Sequence, residues 1–342
     1  MQSKHNYVVD IIKIFSAILV IFCHAFILSN KSIDYLGSFT NGIVHFGALA
    51  VAIFFTYSGY YVSKSLIKNG DKKYISKRLK RLLPELIIVV MLCAFIIGPI
   101  FSDLSVVDYF TNSNTYLYLL NGIMVPVHNL PGVFLNNIYA STVNGSLWTL
   151  SIEFACYVYL LILYKLGFLN DKKSGIIGYI ISIVFAIFGL FCLNILNGYI
   201  NVDLLKSVIR PFMIFITASF ISVRYKNIDI KGFLISLLLF VIFLITRNYY
   251  LINIAFIFFL PIVIMYISTT IVLKGNDIIS FIGESSYTVY LFGFVVQQCV
   301  VSIFGGKMNP YLNFGVSLLF SLLLGFILNG FMKIIRNKIK WL

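Results

Sequence analysis

A lysine and a histidine stand eleven residues apart in the apolar segment Asp10-Ile-Ile-Lys13-Ile-Phe-Ser-Ala-Ile-Leu-Val-Ile-Phe-Cys-His24. On a helix that spacing is within about 20° of whole turns and about 16 Å along the axis, so Lys13 and His24 share a face. Asp10, one turn before Lys13, can pair with it. Ionisable groups in apolar spans are costly and mark functional candidates. A lysine in one half and a lone histidine in the other outline a polar pathway; the structural alternative is a snorkelling lysine and a packed neutral imidazole.

A second segment, Gly145-Ser146-Leu147-Trp148-Thr149-Leu150-Ser151-Ile152-Glu153, sets Ser146, Thr149 and Glu153 on one helical face, with Tyr157 a turn further. Run antiparallel to the first segment, it brings Glu153 about 10 Å below the same boundary, a depth comparable to that of His24. A carboxylate beside an imidazole raises its basicity and fixes its tautomer. The structural alternative is a Ser/Thr-rich helix interface in which Glu153 partners a cation. The densest charge, Lys72-Lys73-Tyr74-Ile-Ser-Lys77-Arg78-Leu-Lys80-Arg81-Leu-Leu-Pro84, reads as a stop signal touching anionic lipid heads or as a seat for a phosphorylated donor.

The elements that must carry these groups follow from composition. Of 342 residues, 60% are hydrophobic and 11% charged, with a mean hydropathy of +0.96. A soluble domain is about half apolar and about a quarter charged, and a globule cannot hide such an excess. Disorder, a disulfide scaffold and an ordinary soluble enzyme are excluded in favour of an all-α, polytopic membrane bundle. Stretches of about 20 apolar residues predict ten transmembrane helices at roughly 8–28, 44–66, 84–101, 146–167, 174–194, 206–223, 231–247, 252–272, 284–303 and 312–334. Ten spans put both termini on one side. That side holds 20 Lys/Arg against 5 opposite, Lys13 lying within a span, so the positive-inside rule makes both termini cytoplasmic. The net charge of +14 thereby reads as orientation, with no nucleic-acid partner. The 102–145 connection, outside, has no Lys or Arg and suits short re-entrant or interfacial helices.

Cys23, Cys93, Cys156, Cys192 and Cys299 sit in apolar runs without CxxC spacing, which predicts packing residues and no metal site. The first apolar segment lacks an A-x-A-like exit and carries Asp10 and Lys13, so no cleavable signal peptide is expected. One membrane domain, 1–342, is expected, without internal repeats.

Five blocks, in order, resemble the acyltransferase 3 family of membrane O-acyltransferases. They are Lys13-x10-His24, Phe54-Phe55-Thr-Tyr-Ser58-Gly59-Tyr60, Lys77-Arg78-Leu-Lys-Arg81-Leu-Leu-Pro84, Ser146-Leu-Trp148-Thr149-Leu-Ser151-Ile-Glu153 and Ser286-Tyr287-Thr-Val-Tyr290-Leu291. Lys13 replaces the family's Arg, which removes a bidentate fork. Gly293 stands where many members have His, so a mechanism needing two histidines is not expected. The resemblance implies a cytosolic acyl-CoA donor, with acetyl the expected group. It implies as acceptor a hydroxyl of a surface polysaccharide or its lipid-linked precursor.

On that reading His24 is the general base, or alternatively an acylated intermediate, and Glu153 orients or polarises it. Ser146, Trp148, Thr149 and Tyr157 line the acceptor or oxyanion pocket. Lys13, Lys77, Arg78 and Arg81 hold the donor, with Ser58 and Tyr287 nearby. His5, His45 and His128 are weaker candidates. No permanently bound cofactor is expected. The expected partners are acyl-CoA, a glycan acceptor and the bilayer, with a second copy or a polysaccharide synthase as candidate protein partners. The Asn/Ile/Lys/Phe-heavy composition points to a bacterial plasma membrane. The alternatives are a transporter of lipid-linked sugar, which should show paired half-helices or inverted repeats, and a non-catalytic scaffold of a polysaccharide synthase.

Overall fold

The computed structural model describes residues 6–195, 202–224 and 228–339. Among the described residues there are eleven principal helices: α1 Tyr7–Asn30, α2 Phe46–Asn69, α3 Tyr74–Phe101, α4 Trp148–Lys165, α5 Lys172–Ile195, α6 Val202–Arg224, α7 Ile230–Ile245, α8 Tyr249–Thr270, α9 Asp277–Glu284, α10 Ser286–Ile303 and α11 Pro310–Ile339. Among the described residues there is no strand, only an isolated bridge between Ser102 and Val133. With no water in a bilayer to satisfy the backbone, helices are the fitting element.

A helix lies in each of the ten predicted stretches, and among the described residues eight are long and apolar enough to cross a membrane. α7, at 16 residues, is shorter, and of α6 the stretch Ser207–Val223 is the part described with its side chains. α7 ends at Ile245 because Asn248 takes up the start of α8, its Oδ1 accepting the N–H of Tyr250 (3.0 Å) and Leu251 (3.2 Å). The basic run, read as lying ahead of a span, is itself the first turns of α3, with Pro84 inside that helix. On the approach to α5, the backbone N–H groups of Ser174 and then Lys173 hold the Asp171 carboxyl below the usual carboxylate range.

The chain forms two compact units. The first comprises Met1–Ala50, Arg78–Ser151 and Leu273–Leu342; the second comprises Val51–Lys77 and Ile152–Val272. In the first, α1 packs on α9, α10 and α11, and α10 packs on α11. α10 is the core of this unit, most of its side chains being buried. Side-chain hydrogen bonds knit these helices: Thr288 Oγ1 donates to the Gly325 carbonyl at 2.8 Å, Asn329 Nδ2 to Ser285 Oγ at 2.9 Å, and Asn313 Nδ2 to Ser29 Oγ at 2.8 Å. Without a hydrophobic drive between helices in lipid, such bonds and close approach hold a bundle together.

In the second unit α5 packs on α6 and α7 on α8. α8 carries a π turn at Ala255–Phe259 that rests on α6. Gly59 on α2 lies against the Phe215 carbonyl oxygen, where any Cβ would collide, and Ser219 Oγ donates to the Gly59 carbonyl at 3.1 Å. The small residue is therefore required by backbone approach, not by an unusual φ.

Candidate active site

In the first unit His24 sits six residues before the end of α1. Its ring stands edge-on to Phe294 of α10, centroids 5.1 Å apart at 78°, and its Nδ1 is buried and has no hydrogen-bond partner among the described residues. Tyr139 also stands edge-on to Phe294, centroids 6.2 Å apart. The 102–145 connection that delivers Tyr139 starts with two short helices, Val106–Thr111 and Ser113–Leu117, and a tight turn at Tyr118–Ile123. Its later part is strapped to α10. Asn137 Nδ2 donates to Gln298 Oε1 at 2.9 Å, Gln298 Nε2 to the Tyr139 (2.8 Å) and Thr142 (2.7 Å) carbonyls, and Asn144 Nδ2 to the Leu291 carbonyl at 2.8 Å.

The residues expected to line an acceptor pocket continue from this strap. Ser146 lies in the turn before α4, its hydroxyl donating to Asn144 Oδ1 at 2.7 Å. Tyr290 of α10 donates to the Ser146 carbonyl at 2.8 Å, and its hydroxyl is 2.6 Å from that of Thr149. Ser146 and Thr149 are buried, and Trp148 is half-buried. The fold thus brings His24, the strap and Ser146–Thr149 together on α10.

At the start of α1, Asp10 is buried and Lys13 half-buried. Along α3, Arg78 is half-buried and Arg81 exposed. Tyr287 Oη donates to the Leu82 carbonyl at 2.8 Å, which ties the foot of α10 to the turn carrying Arg81. A pairing not apparent from sequence lies just beyond: Arg336 Nη2 of α11 donates to Glu85 Oε1 at 2.6 Å, with Glu85 buried. Removing one partner of a buried pair leaves a charge without compensation, at about 3–5 kcal/mol. Since Arg336 is a third exposed, we expect Arg336→Ala to cost no more than about 3 kcal/mol. A lowered melting temperature in detergent checks this, and an unchanged one would remove the pair from the stability account.

The second unit holds the remaining residues. Ser58 Oγ of α2 donates to Glu153 Oε1 of α4 at 2.7 Å, Tyr157 Oη donates to the same oxygen, and the two hydroxyls are 3.0 Å apart. Tyr74 Oη donates to the Tyr157 carbonyl at 3.3 Å. Among the described residues two hydroxyls, not a cation, are therefore the hydrogen-bond partners of Glu153, and Ser58 is one of them. The carboxylate's orientation is set by bonds across α2 and α4. Lys77 is exposed in this unit.

Of the other histidines, His45 Nδ1 is 3.8 Å from Asp34 Oδ2, His128 is exposed, and His5 lies outside the described residues, as does the side chain of Cys192. Cys23, Cys93, Cys156 and Cys299 are free thiols. Among the described residues no His, Cys, Asp or Glu cluster is placed to hold a metal ion. Phe294, Asn144 and Asn137, and the pair Gln297-Gln298, were missed in the sequence. Their only signals were the Asn-rich connection and two adjacent amides inside an apolar span.

Residues 6–330 match a family model described as an acyltransferase domain. Over 150 residues the chain is 31% identical to the O-acetyl transferase of Shigella phage Sf6, covering 44% of this chain and 43% of that protein. It is 27% identical over 178 residues to nodulation protein 10 of Rhizobium leguminosarum bv. viciae, covering 51% and 48%. A Staphylococcus aureus (strain COL) protein named as an O-acetyltransferase is 26% identical over 321 residues, covering 78% of this chain and 49% of that one. The chain thus spans at most about half the length of these curated relatives. No solved structure matches it.

Proposed function

The chain belongs to the acyltransferase 3 family, and from that premise we propose that it is a membrane O-acetyltransferase. It moves an acetyl group from cytosolic acyl-CoA to a hydroxyl of a surface polysaccharide or its lipid-linked precursor. The match over residues 6–330 carries this reading, and the O-acetyl transferase of the phage supports the acetyl group. The protein is multi-pass, with eight helices among the described residues long and apolar enough to cross a membrane; ten spans, cytoplasmic termini and a bacterial plasma membrane belong to the proposal.

In the proposed reaction the acceptor oxygen attacks the thioester carbonyl while His24 takes the hydroxyl proton. The carbonyl electrons move onto oxygen, and hydroxyl donors of the Ser146, Thr149 and Tyr157 set stabilise that charge. The oxyanion then collapses, the carbon–sulfur bond breaks, and the departing thiolate recovers the proton from His24. The carboxylate assigned to assist His24 in this reading is Glu153, whose own orientation is set by Ser58 and Tyr157. Lys13, Lys77, Arg78 and Arg81 attract the donor phosphates at the cytoplasmic face, with Tyr287 steadying the Arg81 turn, and Trp148 packs the acceptor. A second copy or a polysaccharide synthase remains the proposed protein partner.

Sealed vesicles of known orientation, loaded with the acceptor glycan, test the reading. Labelled acetyl-CoA should be consumed, and the glycan labelled, only when the donor meets the cytoplasmic face. No CoA release and no glycan label in either orientation would overturn it. For Lys13 we expect arginine to preserve activity, since a positive charge is the shared requirement and Arg adds a fork, whereas Lys13→Ala should raise the donor KM. An unchanged KM in the alanine variant would reduce Lys13 to a snorkelling residue.

A further inference from the structure

Two buried polar atoms that have no hydrogen-bond partner among the described residues belong to side chains that meet the same turn of α1: Gln297 Oε1 and His24 Nδ1. Gln297 is fully buried on α10. Its amide orientation is set by chemistry, because Nε2 donates at 2.7 Å to the Ile21 carbonyl, which can only accept. Oε1 is therefore a fixed acceptor beside Ile21. His24 lies three residues further along α1, and its ring rests on Phe294, three residues before Gln297 on α10. Gly293 permits this approach: a Cβ there would lie 2.8 Å from Ile21 Cγ1. Buried polar groups without partners are uncommon, and a carbonyl oxygen and a ring nitrogen are complementary once one water joins them.

We propose that Gln297 is a positioning residue for His24, holding the imidazole in its Nδ1–H tautomer through one ordered water. Nδ1–H donates to the water, and the water donates to Gln297 Oε1. Nε2 is then the unprotonated nitrogen, and it receives the acceptor hydroxyl's proton. When it does, the Nδ1–H···water···Oε1 chain is already in place to stabilise the imidazolium. This rests on the reading of His24 as the base and adds which nitrogen acts and what selects it. Gln297 suits the task because an uncharged amide can be buried between α1 and α10 at lower cost than a carboxylate.

The test joins spectroscopy to kinetics. In protein labelled with 15N-histidine and embedded in nanodiscs, the His24 resonances, assigned by their loss in His24→Gln, should report a protonated Nδ1 in the native chain. In Gln297→Met, which keeps the volume and removes the acceptor, protonation should move toward Nε2. The same variant should lower kcat about 10-fold to 100-fold at unchanged KM and move the acid limb of kcat/KM to lower pH. In a His24→Ala background it should change nothing further. A native Nε2–H ring, or an equal loss in the His24→Ala background, would overturn the proposal. The native tautomer decides it even where Gln297→Met does not fold. If His24→Ala retains turnover, the base assignment itself fails; if that variant is inactive while the native ring is Nε2–H, only the role of Gln297 fails.

Discussion

Replacing His24 by alanine is expected to lower acetyl transfer by about 10²–10⁴-fold, the range a positioned general base contributes. Folding should be little affected. Among the described residues no protein group hydrogen-bonds His24 Nδ1 directly, and the loss of one edge-on contact with Phe294 and of one water-mediated link is small beside the packing of α1 on its neighbours. The measurement is turnover of labelled acetyl-CoA by purified variant, alongside its melting temperature. Near-native turnover in a well-folded His24→Ala protein would make His24 a packing residue and end the mechanism proposed above.

Glu153→Gln separates charge from hydrogen bonding. A glutamine oxygen can still accept from Ser58 and Tyr157, whose hydroxyls both donate to Glu153 Oε1, so the local geometry should survive. What disappears is the negative charge assigned to assist His24. We expect turnover to fall about 10²-fold, the low end of the acid–base range, with the melting temperature nearly unchanged. Full activity in Glu153→Gln together with destabilisation in Glu153→Ala would mark Glu153 as a helix tie between α2 and α4 only. A larger loss in Ser58→Ala than in Glu153→Gln would instead shift attention to the serine hydroxyl.

The membrane class and the helical architecture were legible in the sequence because they depend on local quantities. Long apolar runs predicted helices in ten stretches, and a helix lies in each. The family was legible because the five blocks keep their order along the chain, and the match over residues 6–330 bears it out. The 3.6-residue period was enough to put Glu153 and Tyr157 on one face, and in the structure Tyr157 donates to Glu153. Tertiary structure decided what fills the other side of each stripe. That Ser58 bonds Glu153, that Tyr290 bridges Ser146 and Thr149, that Asn137 and Asn144 strap the long connection to α10, and that Glu85 meets Arg336 join residues separated by 95 to 251 positions. Periodicity along one helix says which residues share a face but nothing about which face of which other helix will meet it. In an apolar span the few polar side chains must find partners within the protein, and only the packed chain shows which ones they find.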